Sequence, residues 1–268
     1  MAVAPVIEAP ERRLPTHISA SQISLYNSCP ESWRLKYIEG ATRPAGVQLR
    51  VGSAVHAGAE AFYREVRDSV DPFNTNRVDD AVQATRDYFA YTDAYSDEPV
   101  DSDAEDEAAR LIEVYVEQAP YVMPVLIEES FSLALPDSDL PLVGRIDLTT
   151  SSGQLIDIKT SKASVSRPKP DWKLQARLYQ AAFEDHDFAW HVLVKNKAPK
   201  LLVNSDLELA YDARMIRHTV EFASRVAASI QHNYQTNPYG PWLQSGATHQ
   251  YTCGFCNGAS LCAFGDAS

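Results

Sequence analysis

Long apolar runs are absent from this chain, although apolar residues form 45% of its 268 positions. No stretch approaches the roughly 18 to 20 consecutive apolar residues of a membrane-spanning helix. The first 13 residues mix prolines with acids and lack a continuous apolar segment, so we expect no signal peptide. The sequence therefore predicts an ordinary globular protein with a sizeable core, located in the cytoplasm and without a membrane partner.

Basic residues are also in the minority, with 24 Lys and Arg against 36 Asp and Glu and a net charge of -12. This balance argues against a protein that coats nucleic acid indiscriminately. The distribution is uneven, because the segment from Lys159 to Lys200 contains nine basic residues and only four acids. This basic segment is where a phosphate backbone could run.

Cysteine is scarce, and its placement is unusual. Of the four cysteines, Cys253, Cys256 and Cys262 lie within ten residues of one another, whereas Cys29 is 224 positions earlier than the first of them. A reducing compartment disfavours disulfides, so this pattern suggests metal coordination rather than unrelated thiols. Four thiolates suit either zinc or an iron-sulfur cluster, and spacing alone does not decide between them. His249 is a less favoured substitute ligand.

Two apolar segments, 142–149 and 154–160, flank a short Ser-Ser-Gly connector and predict a β-hairpin. Three charged residues interrupt these segments: Asp147 in the first, and Asp157 and Lys159 in the second. Side chains alternate along a strand, so Asp157 and Lys159 share a face. A carboxylate is costly to bury among apolar strand residues unless a cation compensates it.

The hairpin can bring Asp147 beside Asp157, giving two carboxylates and the Lys159 ammonium around one point. Hard divalent cations such as Mg²⁺ and Mn²⁺ prefer these oxygen ligands. The alternative is a salt-bridged Asp-Lys pair on a solvated hairpin. His56 adds a possible ligand on a predicted helix rich in small residues, although a lone His is more often simply packed or exposed. Glu128, on the preceding strand, could assist a second metal, but Glu129 or simple solvent exposure is an equally good explanation.

The remaining pattern predicts an α/β fold, a mixed central sheet flanked by helices with an N-terminal helical addition. We expect a flexible leader at 1–17 and a single domain at 18–268, with a helical part at 18–120, a catalytic core at 121–235 and a Cys-containing region at 236–268. Helices are predicted at 18–39 (two, meeting near Cys29), 51–66, 77–91, 104–118, 170–183 and 211–234, and strands at 125–135, 142–149, 154–160, 188–194 and 201–209.

Six pieces in chain order resemble the RecB-like branch of the PD-(D/E)xK nuclease superfamily, and within it the iron-sulfur exonucleases related to the CRISPR-associated RecB-like nucleases and the AddB nuclease domain. They span residues 21 to 262. Each piece is weak alone, and the resemblance depends on their order. The pieces are Ser21 to Pro30, the His56 helix, Gly144-Arg145-Ile146-Asp147, Asp157-Ile158-Lys159-Thr160, Gln175-x3-Tyr179 and the Cys triplet.

The resemblance implies a restriction-endonuclease-like fold and a metal-dependent DNA exonuclease. It implies that His56, Asp147 and Asp157 bind the catalytic Mn²⁺ or Mg²⁺, with the Ile158 carbonyl as a further ligand. Lys159 would orient or activate the attacking water and balance charge on the scissile phosphate. A metal and an adjacent lysine suit this chemistry, because phosphodiester hydrolysis needs an activated water and neutralised phosphate charge.

The same resemblance implies that Gln175 and Tyr179, one helical turn apart, help to position Lys159 or the DNA. It also implies a Cys-ligated [4Fe-4S] cluster, with zinc as the less favoured cofactor. The cluster ligands would be Cys29, Cys253, Cys256 and Cys262.

The chain contains no G-x-x-x-x-G-K-[ST] phosphate loop, so an ATP-driven helicase part is not expected within it. The implied substrate is therefore DNA that is single-stranded or frayed at an end, or that a helicase, recombinase or integrase partner prepares. Recombination, repair or phage DNA processing is the favoured setting. The alternatives are a CRISPR-adaptation nuclease that trims spacer precursors and a non-catalytic iron-sulfur module that binds DNA ends.

Overall fold

The computed structural model describes residues 13–41, 46–69, 77–93 and 102–243, together with Cys253, Cys256, Gly258, Leu261 and Cys262. Most of the leader (1–12), the acidic residues at 97–101 and His249 lie outside the described residues. Within the described ranges, no helix is both long enough and apolar enough to cross a membrane.

Most predicted elements are present within a few residues of their expected bounds. The helices are α1 (Ala20–Ser28), α2 (Pro30–Tyr37), α3 (Val47–Asp68), α4 (Arg77–Asp93), α5 (Ser102–Gln118), α6 (Pro170–Ala182) and α7 (Ala213–Thr236). The strands are β1 (Pro124–Leu133), β2 (Leu142–Thr150), β3 (Gln154–Ser161), β4 (Asp187–Val194), β5 (Lys200–Leu202) and β6 (Glu208–Leu209).

The chain divides into two compact units. One, here called the terminal unit, comprises Met1–Arg43, Ala134–Leu142 and Glu221–Ser268. The other, here called the sheet unit, comprises Pro44–Leu133 and Val143–Val220.

The sheet is mixed, as predicted, with the order β1-β2-β3-β4-β5 and with β6 paired to β4. β2 and β3 form the antiparallel hairpin, and β3 runs parallel to β4. A parallel pair needs a crossover connection, which α6 supplies. β5 and β6 both pair antiparallel with β4 and complete the sheet.

Alternation along β4 shows how helices cover both faces of this sheet. Ala189 and Leu193 belong to the apolar core that α3, α4 and α5 form on one face. On the other face, Trp190 stacks on Trp172 of α6 with ring centroids 6.5 Å apart. Trp172 and Trp190 are both buried, so they serve packing rather than base stacking.

The prediction of one strand at 201–209 is wrong. The segment is interrupted by a short 3-10 helix at Ser205–Leu207, which separates β5 from β6. The Asn204 side chain accepts a hydrogen bond from the Asp206 N–H at 3.0 Å and so caps this turn. Asn competes for backbone hydrogen bonds in this way, and apolar periodicity does not show it.

In the terminal unit, Ser19 caps α1 by accepting a hydrogen bond from the Gln22 N–H, and Pro30 occupies the first turn of α2. On α2, the buried Glu31 carboxylate binds the Arg34 guanidinium at 2.8 Å and accepts the Trp242 N–H at 2.7 Å. A buried carboxylate is tolerated when it is paired and hydrogen-bonded in this way. The contact attaches the chain near residue 242 to α2.

Gly58, one of the small residues of α3, permits this helix to pack closely on its neighbours. A Cβ on Gly58 would lie 2.2 Å from the Thr85 hydroxyl on α4 and 2.7 Å from Ile112 on α5. A Cβ on Gly52, on the same helix, would have one neighbour within 4 Å, Thr160 Oγ1 at 3.4 Å, which is an ordinary van der Waals distance.

We expect Gly58→Ala to lower the free energy of unfolding by about 1 to 3 kcal/mol, because overpacking outweighs the gain in helix propensity. Gly52→Ala is the matched control and should be neutral or stabilising by up to about 1 kcal/mol. Urea unfolding measures both. Equal stabilisation by the two substitutions would contradict the close packing of α3.

Candidate active site

The β2–β3 hairpin places Asp147 and Asp157 at one site. Leu148 pairs with Ile156 in this hairpin, and one further step of the same register brings the two aspartates opposite each other. The Ile158 N–H donates a hydrogen bond to Asp147 Oδ2 at 2.7 Å. The backbone of β3 therefore holds the Asp147 carboxylate in position.

A second group of side chains converges on Asp147 from other elements. His56 Nδ1, from α3, lies 3.4 Å from Asp147 Oδ1 and 3.4 Å from Glu128 Oε1, from β1. Each of the three residues offers a ligand atom within 4.8 Å of the others, and within the described ranges no other group of three or more candidate ligands meets this separation. One imidazole and two carboxylates suit a divalent cation.

Glu128 is the member of this group that sequence reasoning undervalued. Its side chain is only 7% exposed, while Glu129 is exposed. Its backbone φ of 50° lies in the left-handed region, which is uncommon for residues other than glycine. This departure from regular strand geometry is not visible in an alternation pattern, so residue order could not separate Glu128 from Glu129.

Asp157, Lys159 and Gln175 form a hydrogen-bonded triangle beside this group. Lys159 Nζ donates to Asp157 Oδ1 at 2.9 Å and to Gln175 Oε1 at 3.1 Å, and Gln175 Nε2 donates to Asp157 Oδ1 at 3.3 Å. The predicted shared face of Asp157 and Lys159 is therefore confirmed. Gln175, on α6, restrains both charged side chains.

Burial and neighbouring charge have opposite effects on the pKa values of the ionisable groups in this site. Burial raises the pKa of Asp157 to about 6, although Lys159 lowers it. Burial also acts to raise the pKa of Asp147, but the charges of His56 and Lys159, together with hydrogen bonds to His56 and the Ile158 N–H, outweigh it and hold that pKa below its usual value. Burial acts to lower the pKa of His56, but Asp147 and Glu128 raise it well above 6.5.

The pKa of Lys159 is set by the same two opposing effects. Burial acts to lower its pKa, but the charges of Asp157 and Asp147 outweigh burial and raise it. Lys159 is therefore a cation at neutral pH and can offset negative charge on a neighbouring group.

Tyr179 lies on α6, one turn after Gln175, and its side chain is buried against the strands. Its ring packs edge-on against Phe131, with centroids 4.9 Å apart. A Cβ on Gly144 would lie 2.5 Å from Phe131 and 2.9 Å from Tyr179, so glycine is required for this packing. Burial raises the pKa of Tyr179, whereas hydrogen bonds with Gln175 and the Arg145 backbone lower it. Tyr179 is thus a buried neighbour of Gln175 and supports the site from the interior of the fold.

These residues open into a cavity of about 450 Å³. One buried carboxylate oxygen in the cavity, Asp157 Oδ2, has no hydrogen-bond partner among the described residues. Glu128 Oε2 forms an ion pair with Arg145 Nε at 2.8 Å, although 62% of the Arg145 side chain is exposed. Buried carboxylate oxygens need compensation, so the donor set fits a divalent cation. The cavity is lined by Ser53, His56, Ala57, Glu60, Tyr88, Glu128, Arg145, Asp147, Asp157, Lys159 and Gln175.

All four cysteines are half-buried, and none of them forms a disulfide. Cys29 occupies the N-cap position of α2. Cys256 Sγ lies 3.2 Å from the hydroxyl of Ser32, one turn further along that helix. Gly258 packs against Leu35 of α2, where a Cβ would lie 2.4 Å from its side chain. The described part of the C-terminal segment therefore lies along the helix that Cys29 begins.

A family model and one solved structure agree with this architecture. The family model of the PD-(D/E)XK nuclease superfamily matches residues 17–263. The crystal structure of a proposed exonuclease from Eubacterium rectale is 12% identical, with a TM-score of 0.55 over 86% of this chain and 85% of that chain. The structure of the protein SSO0001 is 14% identical, with a TM-score of 0.39 over 78% and 85% of the two chains. No curated protein sequence matches the chain.

The mixed sheet flanked by helices is thus the restriction-endonuclease-like fold that the sequence predicted. The family model covers nearly the whole chain, including every residue of the candidate site. The chain belongs to the PD-(D/E)XK nuclease superfamily.

Proposed function

We propose that this chain is a metal-dependent DNA exonuclease of the RecB-like, iron-sulfur branch of its superfamily, which hydrolyses phosphodiester bonds at DNA ends or in single strands. One observation carries the proposal: a three-residue candidate metal group shares a cavity with a lysine that is paired to a buried aspartate. The favoured setting is DNA recombination, repair or phage DNA processing in the cytoplasm, with a helicase or recombinase that supplies the strand.

The residues that would hold Mn²⁺ or Mg²⁺ are His56, Glu128 and Asp147, with Asp157 facing the same cavity. The Ile158 carbonyl remains the further ligand that the family resemblance implies. A bound divalent cation supplies the Lewis acidity that activates water and offsets phosphate charge. The free oxygen of Asp157 is suited to receive a cation because its other oxygen is occupied by Lys159 and Gln175.

Lys159 supplies the positive charge that belongs to the protein itself. Its ammonium lies at the wall of the cavity, where it can contact the scissile phosphate or the attacking water. Gln175 restrains the ammonium at 3.1 Å, so little reorganisation is needed when charge develops on the phosphate. Tyr179 positions Gln175 rather than the substrate, since its ring is buried.

We expect Asp157→Ala and Lys159→Ala each to reduce Mn²⁺- or Mg²⁺-dependent cleavage of end-labelled DNA by about 100-fold or more, because each removes preorganised charge from the site. Asp171→Ala and Lys173→Ala, on the exposed surface of α6, are the matched controls and should retain activity. Full activity in folded Asp157→Ala and Lys159→Ala proteins would refute the proposed site.

Metal affinity should rise with pH. Burial raises the pKa of Asp157 to about 6, so its proton must leave before this carboxylate can bind a cation. His56 has a pKa well above 6.5 and must also lose its proton. We therefore expect Mn²⁺ to bind more tightly as the pH rises from about 5 to about 7.5, with release of about two protons at the lower pH and about one at the higher.

Isothermal titration calorimetry in buffers of different ionisation enthalpy measures both the affinity and the protons released. Glu128→Gln should weaken Mn²⁺ binding by about 10-fold or more, whereas Glu129→Gln, on the adjacent exposed residue, should not. A pH-independent affinity, or equal effects of the two substitutions, would contradict the assigned metal group.

The proposed [4Fe-4S] cluster is supported by the course of the chain around α2. Cys29 begins that helix, and Cys256 lies beside Ser32, which is one turn away. Residues three apart on a helix are neighbours, so these two thiols approach the same end of α2. The Cys256 N–H donates a hydrogen bond to the Cys253 carbonyl at 3.0 Å, so these two residues lie close together. A thiolate set of this kind also accepts zinc, the less favoured cofactor.

Anaerobically purified protein should be brown, with broad visible absorbance and about four iron atoms per chain. Cys29→Ser should lose most of this iron even though it lies far from the other three cysteines in the sequence, because all four thiolates would ligate one cluster. A colourless protein with one zinc ion per chain would refute the iron-sulfur assignment.

A further inference from the structure

A second cleft adjoins the candidate active site in the sheet unit. It has a volume of about 710 Å³, and His56 and Lys159 line both this cleft and the catalytic cavity. It opens where the parallel strands β3 and β4 end, and there the Lys195 N–H donates to the Ser161 carbonyl at 2.7 Å. Ligands commonly bind at the carboxyl ends of parallel strands.

Three lysines outside the family motifs line this cleft: Lys162, Lys169 and Lys195. We propose that this lysine cleft binds the phosphates of the DNA strand next to the scissile bond. The proposal rests on the proposed function and extends it, since it names residues that hold the strand.

The charges of the cleft are available to a ligand. Among the residues that the structure describes, no carboxylate forms an ion pair with Lys162, Lys169 or Lys195. Lys195 is half-buried, and burial lowers its pKa; the charge of Glu107 opposes this effect, and the charge of Lys162 lowers the pKa further. An anion that enters the cleft would stabilise the ammonium groups of Lys162 and Lys195, which repel each other.

The other groups in the cleft suit a phosphate backbone rather than bases. Among the described residues that line the cleft there is no Phe, Tyr or Trp, so it provides no broad stacking platform. Lys169 lies 5.2 Å above the ring of the buried Trp172, which restrains the lysine rather than offering a surface for a base. Hydroxyls from Ser53, Thr160 and Ser161 add sequence-independent hydrogen-bonding groups.

Acidic side chains limit the length of this phosphate site. Gln48 lines both the lysine cleft and a neighbouring pocket, whose other residues include Asp106 and Glu107. Carboxylates repel phosphates, so a strand that leaves the catalytic cavity should contact the three lysines and then turn away from this pocket. The site therefore holds a short part of the strand, a few phosphates long.

The test compares the double substitution Lys162→Ala and Lys195→Ala with a matched double substitution, Lys173→Ala and Lys200→Ala, which removes the same charge outside the cleft. Each pair is made in an Asp157→Ala background, and binding of a labelled single-stranded oligonucleotide is measured across salt concentrations. Each lost phosphate contact lowers the magnitude of the slope of log Kobs against log salt concentration by about 0.7. The slope of the cleft variant should therefore be smaller by about 1.4, and this variant should bind about 10- to 30-fold more weakly at 0.1 M salt. The control should match the parent, and equal slopes in both variants would overturn the proposal.

A second measurement separates this inference from the proposed function. In the otherwise wild-type chain, the cleft variant should lose at least tenfold more kcat/KM on oligonucleotides than on thymidine 5′-p-nitrophenyl phosphate, which is too small to span the cleft. Equal losses on both substrates would show that the lysines act on the catalytic site and would overturn the inference. If the wild-type chain cleaves neither substrate with Mn²⁺ or Mg²⁺, the proposed function itself fails.

Discussion

The burial of Asp157 against Lys159 is the constraint on which the site depends. An aspartate in the middle of a sheet, 2% exposed, is stable only when a cation and hydrogen bonds compensate it. Lys159, on the same face of β3, provides the charge at 2.9 Å. Gln175 contacts both side chains, and α6 can present it there because Trp172 packs on Trp190 of the adjacent strand. The packing of α6 and the chemistry of β3 are therefore coupled.

The candidate metal group depends on a different set of contacts. His56 reaches Asp147 from α3, a helix that packs closely on α4 and α5 at Gly58. Glu128 reaches the same point through an unusual backbone conformation in β1. Displacement of α3 would leave the buried carboxylates of Glu128 and Asp147 without a compensating imidazole. The group thus needs three separate elements to be packed correctly at once.

The acidic composition of the chain is compatible with a nucleic-acid substrate because charge is arranged locally. The excess of acids is spread over the protein, while the lysines after β3 and β4 converge on one cleft beside the candidate metal group. A site made of carboxylates binds phosphate only after cations compensate it. Lysines next to the site, rather than a basic surface overall, provide strand binding without indiscriminate affinity.

Local patterns in the sequence determined the hairpin, the shared face of Asp157 and Lys159, and the mixed α/β class, because strand alternation and turn residues act over a few positions. The order of six short pieces also indicated the superfamily. Only the tertiary structure decided that Glu128 rather than Glu129 faces His56, and that residues 201–209 form two strands instead of one. The left-handed backbone at Glu128 and the Asn204 cap arise from local geometry that residue types do not specify. The convergence of three lysines on one cleft likewise follows from the parallel pairing of β3 and β4, a contact between segments distant in sequence.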